Sequence, residues 1–123
     1  MKPAVSIVIP VYNVALTLGS CLGSIMEQDF RNFEVVLIDD GSTDNSTDII
    51  RESQKSDSRI KLYRTKHRGI VPALNYGIRM AEAPLIARMD GDDTLPEDRI
   101  SVQKGHLDQH PDTGLVSGHV AFS

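Results

Sequence analysis

A chain of 123 residues is long enough for one domain with a buried core, and 40% hydrophobic with 24% charged residues is the composition of an ordinary globular protein. The 13 basic and 17 acidic residues leave a net charge of −4, which argues against nucleic acid or an anionic membrane as the main partner. No apolar stretch approaches the roughly 18 residues that a membrane span needs, and no secretory signal is recognisable, so we expect a cytoplasmic protein.

Strands and helices are predicted to alternate along the first half of the chain. Residues 5–9 are apolar and mostly β-branched, which predicts a strand buried on both faces, and Pro10 is expected to end it. The next predictions are a helix over residues 18–26, a strand over residues 33–38 and a helix that begins at the capping residues 42–44. Cys21 lies on the first helix and, as the single cysteine, cannot form an internal disulfide.

The second half continues the alternation. A short strand over residues 60–63 precedes a basic loop that ends at Gly69, and Pro72 suits the first turn of the following helix. Further predictions are a strand over residues 85–89, a helix over residues 96–106 and a strand over residues 115–120. This order predicts an α/β protein with a mostly parallel sheet and helices on both faces. Ligands of such sheets bind outside the carboxyl ends of the strands.

Two acidic segments follow predicted strands at that edge. Asp90, Asp92 and Asp93 fall within four residues, and carboxylates so close together repel one another unless a cation or water screens them. Asp39 and Asp40 end another strand, where they would either join a metal site or cap the turn that follows. Asp93 is expected to start a helix rather than bind metal. The pattern predicts one acidic, metal-assisted site.

Four motifs, in this order and at these spacings, resemble the N-terminal half of family 2 glycosyltransferases. They are residues 6–13, residues 38–44, Asn75 to Ala81, and Met89 to Asp93. The resemblance implies the Rossmann-like GT-A fold and a nucleotide-sugar donor, usually a uridine diphosphate (UDP) sugar, with Mn²⁺ or Mg²⁺. It also implies a saccharide or lipid-linked acceptor and, for the full-length protein, peripheral association with a membrane.

The resemblance assigns roles to single residues. A loop is expected to line the nucleotide pocket, and it consists of Pro10, Val11, Tyr12 and Asn13. Asp40 is expected to hydrogen-bond the base, and Arg68 to reach the diphosphate. Asp90 and Asp92 are the outer members of the Asp-x-Asp motif, with Asp92 on the metal and Asp90 near the ribose and metal-bound water. Many family members have arginine where this chain has Leu74, which removes one phosphate contact.

The chain is expected to be a single nucleotide-diphospho-sugar-binding domain over residues 1–123 that stops before the acceptor-binding half. Inverting transfer needs a general base, which lies downstream of the Asp-x-Asp loop in the family. Asp112 is the last carboxylate here, so no catalytic residue is expected within the chain and we expect little or no transfer. An unpaired sheet edge or an uncovered apolar face would also favour a homodimer.

Two alternatives remain at this point. A non-catalytic nucleotide-sugar-binding module would share the donor site and differ only in lacking the base. A phosphoacceptor receiver domain would need an acid pair after the first strand, where residues 10–13 stand, and a lysine after the fifth strand, where none is found. The chain has neither a Walker phosphate-binding loop nor a dinucleotide-binding GxGxxG segment.

Overall fold

The computed structural model describes residues 3–94 and the backbone of residues 115–116. Its strands are β1 (Val5–Val11), β2 (Phe33–Asp39), β3 (Ile60–Arg64), β4 (Leu85–Arg88) and β5 (Leu115–Val116). Its helices are α1 (Ala15–Met26), α2 (Ser46–Ser56) and α3 (Ile70–Met80). The predicted helix over residues 96–106 lies outside the described residues, and so does most of the predicted strand over residues 115–120.

The strands form one parallel sheet in the order β3-β2-β1-β4-β5. This confirms the predicted α/β fold. The chain moves outward from β1 through β2 to β3 and then crosses to β4 on the other side of β1. The point where the strand order reverses, here between β1 and β4, is the switch point of the sheet, and ligands of parallel sheets usually bind there.

Helices cover both faces of the sheet, as predicted. On one face Ile7, Ile9 and Leu37 pack with buried residues of α1 and α2, including Leu18 and Ile50. On the opposite face a smaller cluster is formed by Val8, Val36, Ile38 and Ala73 of α3. Because successive strand side chains point to opposite faces, burial on both faces requires the uninterrupted apolar runs of β1 and β2.

Pro10 does not end β1, contrary to the prediction, because it removes hydrogen bonding on one side only. Val8 accepts a hydrogen bond from Met89 on the β4 side, while Val11 accepts one from Asp40 on the β2 side. Pro10 therefore faces the β4 side, beyond the last registered pair of β1 with β4, which is Val8 with Arg88. Its missing N–H stops the pairing with β4 but leaves the pairing with β2 intact through Val11.

Helix α2 begins at Ser46, later than the predicted start at the capping residues 42–44, and Asn45 precedes its first turn. The Asp44 carboxylate still accepts a hydrogen bond from the N–H of Ser46 at 2.9 Å, and residues 42–44 also make hydrogen bonds to the segment that follows β1. None of the helices that the structure describes is both long enough and apolar enough to cross a membrane.

Candidate functional site

A pocket of about 360 Å³ opens at the carboxyl edge of the sheet, where β1 and β4 separate beyond Pro10. It is bordered by the loop after β1, the loop after β4, the end of β2 and the N-terminal part of α3. Its lining residues are Pro10, Val11, Tyr12, Val14, Asp40, His67, Gly69, Ile70, Ala73, Asp90, Gly91 and Asp92. Five of the seven residues predicted to bind nucleotide are therefore brought together, and both predicted metal ligands are among the lining residues.

The acidic loop after β4 is a tight turn that gathers three carboxylates. Carboxylate oxygens of Asp90, Asp92 and Asp93 all lie within 4.8 Å of one another. The N–H of Asp93 donates to the carbonyl of Asp90 at 3.0 Å, and the N–H of Asp90 donates to the Asp93 carboxylate at 3.2 Å. Asp93 thus shapes the turn and also lies beside the other two acids, as their spacing in the sequence indicated.

The loop is held against α1. Thr17 donates its hydroxyl to the carbonyl of Gly91 at 3.1 Å. A Cβ added to Gly91 would lie 2.8 Å from Cγ2 of Val14, so only glycine fits this approach without displacing its neighbour. The acids are therefore presented from a fixed position.

These donors suit a hard divalent cation. The Arg88 guanidinium lies 3.5 Å from the Asp90 carboxylate and partly compensates its charge. Asp92 is exposed, and within the described part of the chain no hydrogen bond or ion pair engages its carboxylate. Mg²⁺ and Mn²⁺ prefer one or two carboxylates completed by water and phosphate oxygens, and this cluster can supply that set.

Burial and the negative charges of the acidic loop both raise the pKa of the Cys21 thiol. Its thiol is buried beneath the loop and lies 3.7 Å from the carbonyl oxygen of Asp90. Burial raises the pKa of the Cys21 thiol to about 12, and the charges of Asp93, Asp92 and Asp90 add to the rise. A thiol with so high a pKa stays protonated at neutral pH and is a packing residue rather than a nucleophile.

The adjacent acids at the end of β2 point to opposite faces. The buried Asp39 accepts a hydrogen bond from the N–H of Ser42 at 2.9 Å and another from the Thr47 hydroxyl, so it fixes the turn into α2. The capping interpretation therefore applies to Asp39. Asp40, one residue later, faces the α3 side and the pocket.

The Asp40 carboxylate holds the basic loop that follows β3 in place through hydrogen bonds. Its carboxylate accepts hydrogen bonds from the N–H groups of Arg68 at 3.0 Å and Gly69 at 2.9 Å, and from the Thr65 hydroxyl at 3.2 Å. Burial would raise the pKa of the Asp40 carboxyl, but these hydrogen bonds and the nearby His67 outweigh it and hold the pKa below its usual value. Asp40 is thus an ionised group at the inner wall of the pocket.

Tyr12 and His67 form a stacked pair of rings at the mouth of the pocket. Their centroids lie 4.1 Å apart with an angle of 22° between the planes. The His67 ring also contacts the Asp40 carboxylate through Nδ1 at 3.0 Å. No signal in the sequence pairs His67 with Tyr12.

Two residues predicted to bind nucleotide do not line this pocket. The Asn13 side chain accepts hydrogen bonds from the N–H groups of Thr43 at 2.8 Å and Asp44 at 3.3 Å, so it ties the loop after β1 to the turn before α2. Asn13 adopts a φ of 51°, a left-handed conformation that asparagine tolerates well. The role of Asn13 in nucleotide binding stays a prediction.

Arg68 lines a neighbouring, larger pocket of about 820 Å³ instead. Lys66 and Arg79 line it too, and Asp40 and Ala73 border both pockets. Lys66 and Arg68 of the basic loop thus line this second pocket and not the one with the carboxylate cluster, and the predicted contact of Arg68 with a diphosphate stays a prediction. Leu74, where arginine was expected, packs against the small core cluster on the α3 face.

The chain matches the profile of glycosyl transferase family 2 over residues 6–123. The chain belongs to this family. An uncharacterised glycosyltransferase of Haemophilus influenzae is 37% identical over 121 residues, a match that covers 98% of this chain and 48% of the relative. The glycosyltransferase GlyG of Streptococcus pneumoniae is 33% identical over 120 residues, which covers 97% of this chain and 40% of GlyG. The chain thus spans less than half the length of these curated relatives.

Solved glycosyltransferases share the fold of this family 2 domain. Residues 1–349 of Staphylococcus aureus TarS, in complex with UDP-GlcNAc, superpose with a TM-score of 0.81 at 28% identity, covering 90% of this chain and 32% of TarS. The mannosyltransferase PcManGT of Pyrobaculum calidifontis, in complex with GDP-Man and Mn²⁺, superposes with a TM-score of 0.80 at 29% identity, covering 87% of this chain and 33% of PcManGT. These neighbours have the GT-A architecture, which confirms the predicted fold class.

Proposed function

We propose that this chain is the donor-binding half of a glycosyltransferase and binds a nucleoside diphosphate sugar, most simply a UDP-sugar, together with Mn²⁺ or Mg²⁺. The observation that carries the proposal is the convergence of Tyr12, Asp40 and the acidic cluster on one pocket at the switch point of the sheet. TarS and PcManGT, which hold nucleotide sugars, share this fold and support the donor class.

In this proposal the acidic loop recognises the diphosphate end of the donor. Asp92, exposed and unengaged by its described neighbours, would hold the metal directly, with Asp90 beside it. When bound, the cation neutralises the charge that develops on the departing diphosphate. The chain's own contribution is to hold these carboxylates in place through Gly91, Thr17 and the turn at Asp93.

The opposite end of the pocket would take the base. Tyr12 is 42% exposed and lines the pocket, and stacking of a base on an aromatic ring is favourable for every base. Asp40 is ionised and accepts hydrogen bonds only, so it favours a base whose ring edge carries an N–H. Uracil and guanine have such an N–H, while cytosine and adenine present a ring acceptor there.

Transfer itself would need parts beyond these residues. We propose an inverting reaction whose general base and whose saccharide or lipid-linked acceptor site belong to a longer protein, located in the cytoplasm and peripherally associated with a membrane. A non-catalytic nucleotide-sugar-binding module remains the second candidate. Sugar transfer to an acceptor by this chain alone would contradict the assignment of the base to a downstream segment.

Calorimetric titration with UDP, with and without Mn²⁺, tests the donor site. We expect Mn²⁺-dependent binding that weakens by about tenfold or more in Asp92→Asn, which preserves shape but removes the charge. Asp29→Asn is the matched control, because Asp29 is an exposed acid that lines neither of the two pockets bordered by Asp40. Equal affinity of the Asp92 variant and the wild type would contradict the assigned ligand.

A further inference from the structure

The place where a base would stack already contains a ring from the protein itself. The His67 imidazole lies on Tyr12 with centroids 4.1 Å apart, and its Nδ1 lies 3.0 Å from the Asp40 carboxylate. A carboxylate only accepts hydrogen bonds, so Nδ1 carries the proton in this contact. His67 thus presents a planar nitrogen heterocycle that stacks on Tyr12 and donates a ring N–H to Asp40.

These are the two interactions that the proposed function requires of the base of the donor. A uracil ring on the face of Tyr12 that His67 covers, with its ring N–H directed at Asp40, would use the same ring and the same carboxylate as His67 does. A base in that position would require the His67 side chain to leave.

The backbone around His67 is held in place by its neighbours, and the side chain is held by the stack on Tyr12 and the contacts with Asp40. The flanking N–H groups of Arg68 and Gly69 are held by Asp40, and the backbone nitrogen of His67 lies so near Gly41 that a Cβ there would be 2.9 Å from it. The His67 side chain itself is 55% exposed. Rotation about its own bonds can clear the pocket without dismantling the loop.

We infer that His67 is an internal placeholder for the nucleobase, which stacks on Tyr12 and contacts Asp40 and which swings out when the nucleotide binds. This inference rests on the proposed function. It makes His67 a residue that lowers donor affinity, because the stack and the hydrogen bond must be broken before the base can replace them. It also explains how a carboxylate engaged by four protein groups can accept a ligand: one of the four leaves.

Calorimetric titration with UDP in the presence of Mn²⁺ measures the effect. His67→Ala removes the competing ring and should tighten the dissociation constant by about threefold to tenfold. Asp29→Asn, which alters an exposed residue outside both pockets, should remain within about twofold of the wild type. Unchanged or weaker binding by His67→Ala would overturn the inference.

Proton NMR of the imidazole gives a second readout. Addition of UDP should shift the ring-proton signals of His67 as the stack on Tyr12 opens, while the amides of Arg68 and Gly69 stay protected from exchange. UDP binding that leaves the His67 signals unmoved overturns the placeholder but not the donor site. If neither the wild type nor His67→Ala binds UDP, the proposed function fails, and the placeholder fails with it.

Discussion

A single glycine sets how closely α3 approaches the sheet. A Cβ added to Gly77 would lie 2.4 Å from Cγ1 of Val8 and 3.1 Å from Cγ1 of Ile38, both buried in the strands beneath. We expect Gly77→Ala to lower the free energy of unfolding by about 1–3 kcal/mol, because overpacking outweighs the helix preference of alanine. Urea unfolding at neutral pH measures this difference.

Gly23 on α1 provides the matched control. It is exposed and has no atom within 4 Å of an added Cβ. Gly23→Ala should therefore raise the free energy of unfolding by about 0.5–1 kcal/mol. A stabilising Gly77→Ala would contradict the described packing of α3 on the sheet.

The buried thiol allows the integrity of the acidic loop to be measured. Cys21 is fully buried and the pKa of its thiol is raised to about 12, so we expect alkylation by iodoacetamide at about pH 8 only as fast as the protein opens. The same thiol should react rapidly in denaturant, which serves as the control. Fast modification of the native chain would show that the loop does not cover Cys21 as described.

At the scale of elements, a buried polar network joins the amino ends of the central strands. Glu34 on β2 accepts hydrogen bonds from the hydroxyl of Ser6 on β1 and from the N–H of Glu82 before β4. Lys61 on β3 lies 2.9 Å from its other oxygen. This network ties together the strand ends opposite the pocket.

The network predicts how stability depends on pH. Burial would raise the pKa of Glu34, but the hydrogen bonds from Ser6 and Glu82 and the nearby Lys61 ammonium outweigh it and lower the pKa. A lowered folded-state pKa gives stability that is present above the unfolded pKa and is lost as pH falls through the folded one. The free energy of unfolding should therefore decrease from about pH 5 to about pH 3.

Glu34→Gln isolates that contribution. Asp40 and Asp57 also have lowered pKa values, so the wild type and the variant share their acid dependence and differ only by Glu34. We expect the stability lost between about pH 5 and pH 3 to be smaller in the variant. Parallel pH profiles for the two proteins, measured by urea unfolding, would contradict the role given to Glu34.

Most elements could be predicted because hydrophobic periodicity and strand–helix alternation are local signals. Pro10 was misread because its effect depends on which neighbour its missing N–H faces, and that is known only once the strand order is known. The alternation of strand side chains separates Asp39 from Asp40, yet the sequence does not say which face is the pocket. The stack of Tyr12 on His67 joins residues 55 positions apart, so no periodic pattern in the sequence could have predicted it.

At the scale of the whole molecule, the described sheet leaves β3 at an edge, paired only with β2. Lys61 and Arg64 lie on this strand, and charges on an edge strand oppose pairing with another copy. The homodimer stays a prediction that would need a different surface. The single-domain boundary likewise stays a prediction, since the chain covers under half of its curated relatives.

The central claim is that the acids at the carboxyl edge bind a divalent ion that also holds the diphosphate of the donor. Paramagnetic broadening of backbone amide signals by traces of Mn²⁺ tests it most directly. With UDP present, the broadening should centre on Asp90, Asp92 and Asp93, and it should be much weaker without UDP or in Asp92→Asn. Broadening centred on other residues, such as the exposed acids Asp48 and Glu52 of α2, would contradict the account. Broadening of the same strength with and without UDP would contradict it too.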